Sequence, residues 1–481
     1  MSFRIAVAFL VACGVAFGQT VMDQFETRAS FFVGQRAPFS VAVGDFNGDG
    51  ILDVAVVNYL RFGSVEILLG NGDGTFHHFA TYRVGIQPEY AATSSLRSNG
   101  ILDLVVGDSL SENVYVMLGN GDGTFQSPVA YAAHGRPIHV GTGQFTGSAS
   151  LDILALSGAD GCNCIQVLPG NGDGTFGAPI ATNVPYGIAG IAIAAGDFNN
   201  DGKLDVAVAG NGDENQVDIL LGNGDGTFTP HGYYAISENP VSIATGLFTG
   251  DQGKLDLAVA NGLGGSLSVL LGNGDGSFQQ AVDYDASFPA TVIAQDLDGD
   301  GKIDLVTSNP GFLGVPSGVT VFKGNGNGTF QAGVFYPAAS DPDGDYVAAG
   351  DFNGDHMLDL VSVNREAGII TLLNTGVVSF SPTTPLTFPS QAVGTTSNPK
   401  AVRLTNTGST DLKITSMTAS VEFAVKSSCG ATVAPSANCT ITATFTPTAQ
   451  GTAQGTAQGT ITILDSASSK PQVIELTGTG T

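Results

Sequence analysis

Residues 45–76 read DFNGDGILDVAVVNYLRFGSVEILLGNGDGTF, and variants of this stretch recur along about three quarters of the chain. Its final Gly-Asn-Gly-Asp-Gly-Thr-Phe returns, with small changes, at positions that end in Phe76, Phe125, Phe176, Phe228, Phe278 and Phe330. Its Leu-Asp pair, which precedes an apolar run, has counterparts that end at Asp53, Asp103, Asp152, Asp205, Asp256, Asp304 and Asp359. Both markers have a period of about 50 residues, which is typical of β-propeller blades when one period holds several short strands.

One repeat contains four short segments with the composition of strands, at residues 39–43, 53–57, 64–69 and about 75–84, here called strands A to D. Each segment is apolar or β-branched and is bounded by Gly, Asn or Asp. The Asn-Gly-Asp-Gly at 71–74 supplies the positive φ angles that a tight turn between strands C and D requires. No helical periodicity interrupts this pattern, so the sequence predicts an all-β repeat.

The two ends of the repeat array predict how it closes. Residues 25–34 match the strand D segment 76–85, whereas the seventh repeat reaches 373–376 without the Gly-Asp-Gly-Thr-Phe turn. We therefore expect the N-terminal strand to complete the seventh blade and to remove the exposed edges of an open ring. The predicted fold is all-β, with a seven-bladed β-propeller over 19–376 and an immunoglobulin-like β-sandwich over 377–481.

The segment between strands A and B is an acidic nine-residue loop in four repeats. Oxygen-bearing side chains occupy positions 1, 3, 5 and 9, a backbone carbonyl is available at position 7, and position 6 is glycine except at His356. Oxygen donors on a flexible loop favour Ca²⁺ over Mg²⁺, and the absence of sulfur and imidazole argues against zinc. The predicted ligands of about four structural Ca²⁺ ions are Asp45, Asn47, Asp49, Ile51, Asp53, Asp197, Asn199, Asp201, Lys203, Asp205, Asp296, Asp298, Asp300, Lys302, Asp304, Asp351, Asn353, Asp355, Met357 and Asp359.

The EF-hand is excluded for these loops, because position 12 carries Val, Thr or Ser instead of a bidentate Glu and lies in an apolar strand. The loops of the other three repeats have lost ligands. Repeat 2 carries Arg97 at position 3, where its charge would replace that of an ion, repeat 3 carries Thr146, and repeat 5 carries Leu247 at position 1. We expect no calcium in these three loops.

These repeats resemble the FG-GAP/VCBS family, the calcium-bearing propeller of integrin α-subunit heads and of many secreted bacterial proteins. The resemblance covers about 25–376 and rests on the acidic loops that stay in phase with the period. It implies a propeller with calcium in the A–B loops. Because the family includes adhesion proteins, lectins and domains attached to enzymes, it does not fix a function.

From residue 377 the composition shifts to Thr, Ser and Pro, and short strands alternate with turns, as in an antiparallel sandwich. Residues 388–394, 404–408 and 445–447, together with Cys429 and Cys439, resemble the immunoglobulin-like choice-of-anchor D family. Ala-Gln-Gly-Thr occurs three times in tandem at 449–460, which we interpret as a lengthened surface hairpin.

The first residues, MSFRIAVAFLVACGVAFGQT, place Arg4 before an apolar run and small residues at a cleavage position. They predict a secretory signal over 1–18 and a secreted or cell-surface protein. A lipoprotein box that ends at Cys13 is the alternative, and it would give a lipid anchor. In an oxidising compartment we expect a disulfide between Cys429 and Cys439, while the pairing of Cys162 and Cys164 is left open.

The formal net charge is −26, from 17 Lys and Arg against 43 Asp and Glu. So few cations cannot neutralise a run of phosphates, which excludes a nucleic-acid partner. After the signal, no apolar stretch is long enough to cross a membrane. The expected partner is a glycan or an extracellular protein.

Strand alternation puts the acidic loops and the C–D turns on one face and the B–C and D–A loops on the other. The B–C and D–A loops vary most between repeats and carry residues suited to stacking on sugars or anchoring a protein, of which the candidates are Tyr59, Arg61, His134, Arg136 and Phe312. No catalytic constellation is found, so we expect a calcium-stabilised binding or adhesion protein and not an enzyme. A polysaccharide lyase or hydrolase and a non-catalytic envelope scaffold are the alternatives.

Overall fold

A computed structural model describes residues 25–31, 38–59, 62–158, 162–185, 189–211, 215–251, 253–311, 316–337, 346–354, 357–364, 368–374, 378–381, 386–406, 411–434, 437–448, 456–465 and 472–481. All regular elements in these ranges are β-strands. Within them no helix is long and apolar enough to cross a membrane. The predicted signal peptide, the alternative lipid site at Cys13 and most of the Ala-Gln-Gly-Thr repeat lie outside the described residues.

The strands of the repeat region follow the predicted A–B–C–D order. The first four repeats contain β2–β5 (Pro38–Gly44, Asp53–Asn58, Ser64–Gly70, Phe76–Arg83), β6–β9 (Pro88–Ser94, Asp103–Asp108, Asn113–Met117, Val129–Ala132), β10–β13 (Pro137–Gly143, Asp152–Ser157, Cys164–Leu168, Ile180–Asn183) and β14–β17 (Ala189–Gly196, Asp205–Asn211, Gln216–Gly222, Phe228–Ala235). The last three contain β18–β21 (Pro240–Gly246, Asp256–Asn261, Ser266–Leu270, Val282–Asp285), β22–β25 (Thr291–Gln295, Asp304–Asn309, Gly318–Phe322, Val334–Pro337) and β26–β28 (Tyr346–Gly350, Asp359–Asn364, Gly368–Asn374).

Each repeat forms one four-stranded antiparallel sheet, and in the seventh sheet the fourth strand comes from the N-terminal end. Strand β1 (Phe25–Phe31) pairs with β28, from Phe25 opposite Asn374 to Phe31 opposite Ile369. The prediction that residues near the N-terminus complete the seventh repeat is therefore confirmed.

Apolar cores join the sheets in a cyclic order. A buried cluster lies between every sheet and the next, and one further cluster joins the seventh sheet to the first. The rings of Phe46 in repeat 1 and Phe125 in repeat 2 pack edge to face, with their centroids 5.4 Å apart. Phe76 of repeat 1 packs in the same way on Phe352 of repeat 7, with a centroid distance of 5.5 Å. The sequence marker therefore ends in Phe because this ring packs on the A–B loop of the preceding repeat.

The same junctions share a backbone hydrogen bond. The Gly123 N–H donates to the Phe46 carbonyl over 2.9 Å, and the Gly74 N–H donates to the Phe352 carbonyl over 3.0 Å. The C–D turn of one repeat is thus anchored to the A–B loop of its neighbour. Repeat 7 contacts repeat 1 through the same pair of interactions that joins repeats 1 and 2.

The C-terminal region contains two sheets around one core. Its strands are β29 (Val378–Ser381), β30 (Leu386–Thr387), β31 (Lys400–Asn406), β32 (Leu412–Ala419), β33 (Phe423–Ser427), β34 (Thr432–Val433), β35 (Asn438–Phe445), β36 (Thr456–Asp465) and β37 (Gln472–Thr479). One sheet has the order β29-β31-β35-β33 and the other β30-β37-β36-β32-β34. The disulfide between Cys429 and Cys439 is present as expected. Cys162 and Cys164 are also paired.

Candidate functional site

The acidic loop of repeat 1 is wound around its own first side chain. Asp45 accepts hydrogen bonds from the Gly48 N–H over 2.7 Å and from the Gly50 N–H over 2.9 Å. Further along, Asn47 accepts from the Asp49 N–H, and Asp49 accepts from the Ile51 N–H, both over 2.8 Å. Successive oxygen side chains are thus held within one tight turn.

Repeats 4 and 6 have a similar arrangement, and in all three loops the first Asp accepts from the backbone N–H of the Gly at position 6. Asp197 accepts from the backbone N–H groups of Asp201 and Gly202 over 3.1 and 2.9 Å. Asp296 accepts from those of Asp300 and Gly301 over 3.2 and 2.8 Å. The shared loop conformation follows from the shared Asp, Asn and Gly spacing.

Repeat 6 concentrates the most negative charge. Carboxylate oxygens of Asp296, Asp298 and Asp304 all lie within 4.8 Å of one another. Burial, with a further contribution from neighbouring Asp298, raises the pKa of Asp304 to about 7. Two lysines neutralise part of this negative charge, since Lys323 Nζ lies 2.9 Å from the Asp298 carboxylate and Lys302 Nζ lies 2.6 Å from the Asp300 carboxylate. An oxygen-only donor set of this kind fits a hard divalent cation.

The Asp at position 9 has a structural role that the sequence analysis did not recognise. Asp53 is fully buried and accepts from the Phe46 N–H and from the Gly70 N–H, both over 2.9 Å. It therefore ties the A–B loop to the end of strand C. Equivalent pairs of backbone bonds are made by Asp103, Asp152, Asp205, Asp256, Asp304 and Asp359.

We call these seven residues the clasp aspartates. Burial raises the pKa of Asp53, Asp205 and Asp256 above the usual value for Asp. The sequence already contained a sign of this role, because this Asp persists in the three repeats whose loops no longer carry the full acidic set.

Protein donors lie beside the clasp aspartate in the loops that lack the acidic set. In repeat 2 the Arg97 guanidinium donates over 2.6 Å to both Asp103 and the Gly119 carbonyl. In repeat 3 the Thr146 hydroxyl donates to Asp152 over 3.0 Å. The Arg97 guanidinium therefore lies directly beside the last carboxylate of its loop.

Repeat 7 is described only in part. Asp359 is a clasp aspartate, and Asp351, Asn353 and Met357 lie in the described loop segments. Asp355 lies outside the described residues.

On the opposite face the structure places three of the five predicted ligand-binding residues. Tyr59 stacks on Phe39 at 5.4 Å. His134 is exposed, and its backbone N–H and carbonyl are both bonded by the Gln166 side chain, over 2.6 and 3.0 Å. Arg136 donates from Nε to the carbonyl of Ser109 over 3.2 Å.

These interactions hold the loops in place, and none of the three predicted side chains lines the cavity described next. Arg61 and Phe312 lie outside the described residues.

A cavity of about 540 Å³ opens where the A strands begin. In five sheets the A–B pairing skips one residue next to the start of strand A, which is the signature of a β-bulge. The skipped residues are Phe39, Glu89, Ile138, Ile191 and Val241, and all five line the cavity. Sequence reasoning missed them, although a Pro precedes four of the five.

Three aromatic rings in the lining of this cavity contact one another. The Tyr346 and Tyr90 hydroxyls lie 2.7 Å apart, and the Tyr90 ring lies 3.9 Å from that of His139. Burial lowers the pKa of His139 to about 4, so its ring is neutral at pH 7. Tyr90 and His139 also line a second cavity of about 470 Å³, and most of its other lining residues are later residues of the A strands.

The fold and the loops define an all-β repeat protein with seven equivalent sheets. Five segments match the FG-GAP-like repeat family, at residues 45–95, 144–208, 197–252, 248–307 and 296–362. Together they cover more than half of the sequence, and the chain belongs to this family. Residues 375–473 match a second family, described as abnormal spindle-like microcephaly-associated, ASPM-SPD-2-Hydin.

Two solved structures are similar at low sequence identity. A functionally unknown protein from Desulfotomaculum acetoxidans DSM 771 is 16% identical, with a TM-score of 0.44, over 64% of this chain and 91% of that chain. The V. cholerae biofilm matrix protein Bap1 is 11% identical, with a TM-score of 0.45, over 73% of this chain and 91% of that chain. No curated protein matches the sequence.

Proposed function

We propose that this is a secreted or cell-surface binding or adhesion protein, stabilised by calcium, that recognises a glycan or a protein through the face opposite the acidic loops. In this proposal the seven sheets are the blades of one closed β-propeller, and the C-terminal region is an immunoglobulin-like sandwich. The cyclic order of the inter-sheet cores supports the closed ring, since the core between the last and first sheets resembles the others.

The observation that carries the calcium proposal is the contrast between acidic and altered loops. Where the loop has Asp or Asn at positions 1, 3 and 5, carboxylates crowd one another, as in the cluster of Asp296, Asp298 and Asp304. Where that set is lost in repeat 2, the Arg97 guanidinium pairs with the clasp aspartate Asp103 at 2.6 Å. The protein itself therefore supplies the positive charge in the altered loop of repeat 2, and Ca²⁺ would supply the positive charge in the acidic loops.

The proposed recognition face is supported by its apolar exposure. Phe62, Ile86, Leu110 and Leu263 lie in B–C or D–A loops and expose 63, 39, 49 and 64% of their surface. Leu263 also lines the cavity, and exposed apolar side chains at a cavity are typical of interaction sites. Because these residues lie opposite the acidic loops, calcium would have a structural role on one face and would not occupy the face proposed for recognition.

Calcium binding is tested by isothermal titration of the metal-free mature protein, together with melting in calcium and in chelator. We expect about four ions and a higher melting temperature in calcium, because an ion that binds only the folded loops stabilises them. The double variant Asp296→Asn/Asp298→Asn should lose one ion. The matched control Asp122→Asn, in a C–D turn, should lose none. An intact fold that binds no calcium would refute the proposal.

Recognition is tested on glycan and extracellular-protein arrays, each in calcium and in chelator. Binding to a defined sugar class would identify a lectin, and binding to a protein would identify an adhesin. Loss of the signal after Leu263→Asp would place the contact on the proposed face. The matched control is Val421→Asp, which makes the same kind of change at an exposed residue of the C-terminal region. Silence of both arrays with a folded protein would contradict the recognition proposal and favour a scaffold role.

A further inference from the structure

We propose that the cavity at the start of the A strands is a binding site for a small organic cation, an ammonium group carried on an aromatic or aliphatic body. The inference rests on the proposed use of this face for recognition, and it names a site and a ligand class for it.

Five equivalent β-bulges contribute residues to the cavity wall. A β-bulge at the same place in five sheets adds one residue to the beginning of strand A, and the added residues are Phe39, Glu89, Ile138, Ile191 and Val241. Bulges re-aim a side chain and are common beside binding sites. A volume of about 540 Å³ lies within the range of small-molecule pockets.

Most of the wall is apolar, which selects an apolar ligand body. Besides the four apolar bulge residues, the lining includes Leu263, Phe288, Pro289 and Pro310. The lining also includes the neutral rings of Tyr90 and His139. Aromatic and aliphatic walls of this kind gain free energy by burying an apolar body of matching size.

Glu89 supplies the charge that selects a cation. Among the described lining residues it is the only Asp or Glu, and no Lys or Arg is among them. It takes the position where the other four bulges carry an apolar residue. The Ser109 hydroxyl, which is fully buried, donates to the Glu89 carboxylate and fixes it. Burial raises the pKa of Glu89, and Arg136 opposes that shift only in part. A half-buried carboxylate in an apolar wall is complementary to an ammonium group.

The test uses three probes with the same body: 2-naphthylmethylammonium, 2-naphthylmethanol and 2-naphthoate. We measure their dissociation constants by titration calorimetry with the full mature chain in calcium. The ammonium probe should bind about tenfold or more tightly than the alcohol, because a charge-assisted bond forms only with the cation, and the carboxylate should bind weakest.

The variant Glu89→Gln keeps the shape of the side chain and can still accept from Ser109. It should weaken ammonium binding about tenfold and leave the alcohol unchanged, so that the preference disappears. Glu238→Gln makes the same change of charge at an exposed residue of the same face and should change nothing. Ala290→Phe should fill the cavity and abolish binding of all three probes.

The inference is overturned if the ammonium probe binds no better than the alcohol, or if Glu89→Gln retains the preference. It is also overturned if Ala290→Phe melts like the parent chain and still binds. These readouts are independent of the arrays: probe binding with silent arrays would leave this site standing and remove the proposed macromolecular recognition. The reverse pattern would remove this site alone.

Discussion

Substitution of a clasp aspartate should destabilise the protein even in a repeat that binds no calcium. Asp256 is the clearest case, since repeat 5 lacks the acidic loop and we expect no ion there. Its carboxylate accepts from the N–H groups of Phe248, Thr249 and Gly272 over 2.8, 3.2 and 2.9 Å. Asp256→Ala removes all three acceptor contacts and leaves the donors in a buried region.

The size of the loss follows from these contacts. Two short bonds to a charged acceptor contribute about 1.5–3 kcal/mol each, and the third bond is longer. Removal of a buried carboxylate also relieves its desolvation, which offsets part of the loss. We therefore expect Asp256→Ala to lower the free energy of unfolding by about 3–5 kcal/mol.

Urea unfolding of the mature chain, followed by circular dichroism in calcium and in chelator, measures this loss. It should be the same in both conditions for Asp256→Ala, whereas Asp53→Ala in repeat 1 should lose more in calcium than in chelator. Asp251→Ala removes an exposed charge from the same loop as Asp256 and should leave the midpoint unchanged. A loss below about 1 kcal/mol for Asp256→Ala would refute the clasp, since two unpaired buried donors cannot cost so little.

Three further predictions concern other buried groups. Asp218 is fully buried, and burial raises its pKa to about 7. Because the folded state then keeps a proton that the unfolded state has lost, the free energy of unfolding should fall as the pH rises from about 4 to 7. In urea titrations Asp218→Asn should remove this pH dependence and be more stable than the parent chain at pH 8 by at most about 4 kcal/mol. Arg97→Ala should cost about 2–4 kcal/mol in the same assay, because Asp103 stays buried without its guanidinium. Cys429→Ser/Cys439→Ser should cost about 2–4 kcal/mol, and reductant should then have no further effect on the C-terminal region.

The sequence was most informative where spacing alone determines the structure. The period of the markers predicted seven sheets, because the Asp residues bond within their own repeat while a Gly and the Phe of the marker contact the preceding repeat. The match between 25–34 and 76–85 predicted the pairing of β1 with β28 for the same reason. The loops were also predictable, since Asp and Asn bond to their own backbone over a few residues.

The cavity could not be predicted in this way. Its walls combine residues from all seven repeats, and the bulge at Glu89 does not change the spacing of the repeats. The candidates His134 and Arg136 were chosen by residue type in variable loops, but the structure shows their loops held by Gln166 and by contact with the Ser109 carbonyl. Residue type identifies groups able to bind a ligand, whereas the tertiary structure decides which of them reach it.

The pairing of β1 with β28 has a consequence for how the chain acquires its structure. Strand β1 emerges before the repeats during synthesis or export, but its partner β28 belongs to the seventh repeat and emerges only after the other six. Until then β1 has no native strand beside it, and the seventh sheet cannot be completed. Because such long-range pairing is slow, the last step of folding should be set by the meeting of the two ends. A chain truncated within the seventh repeat would therefore present two unmatched strand edges, the condition that favours aggregation or exchange of β1 between molecules.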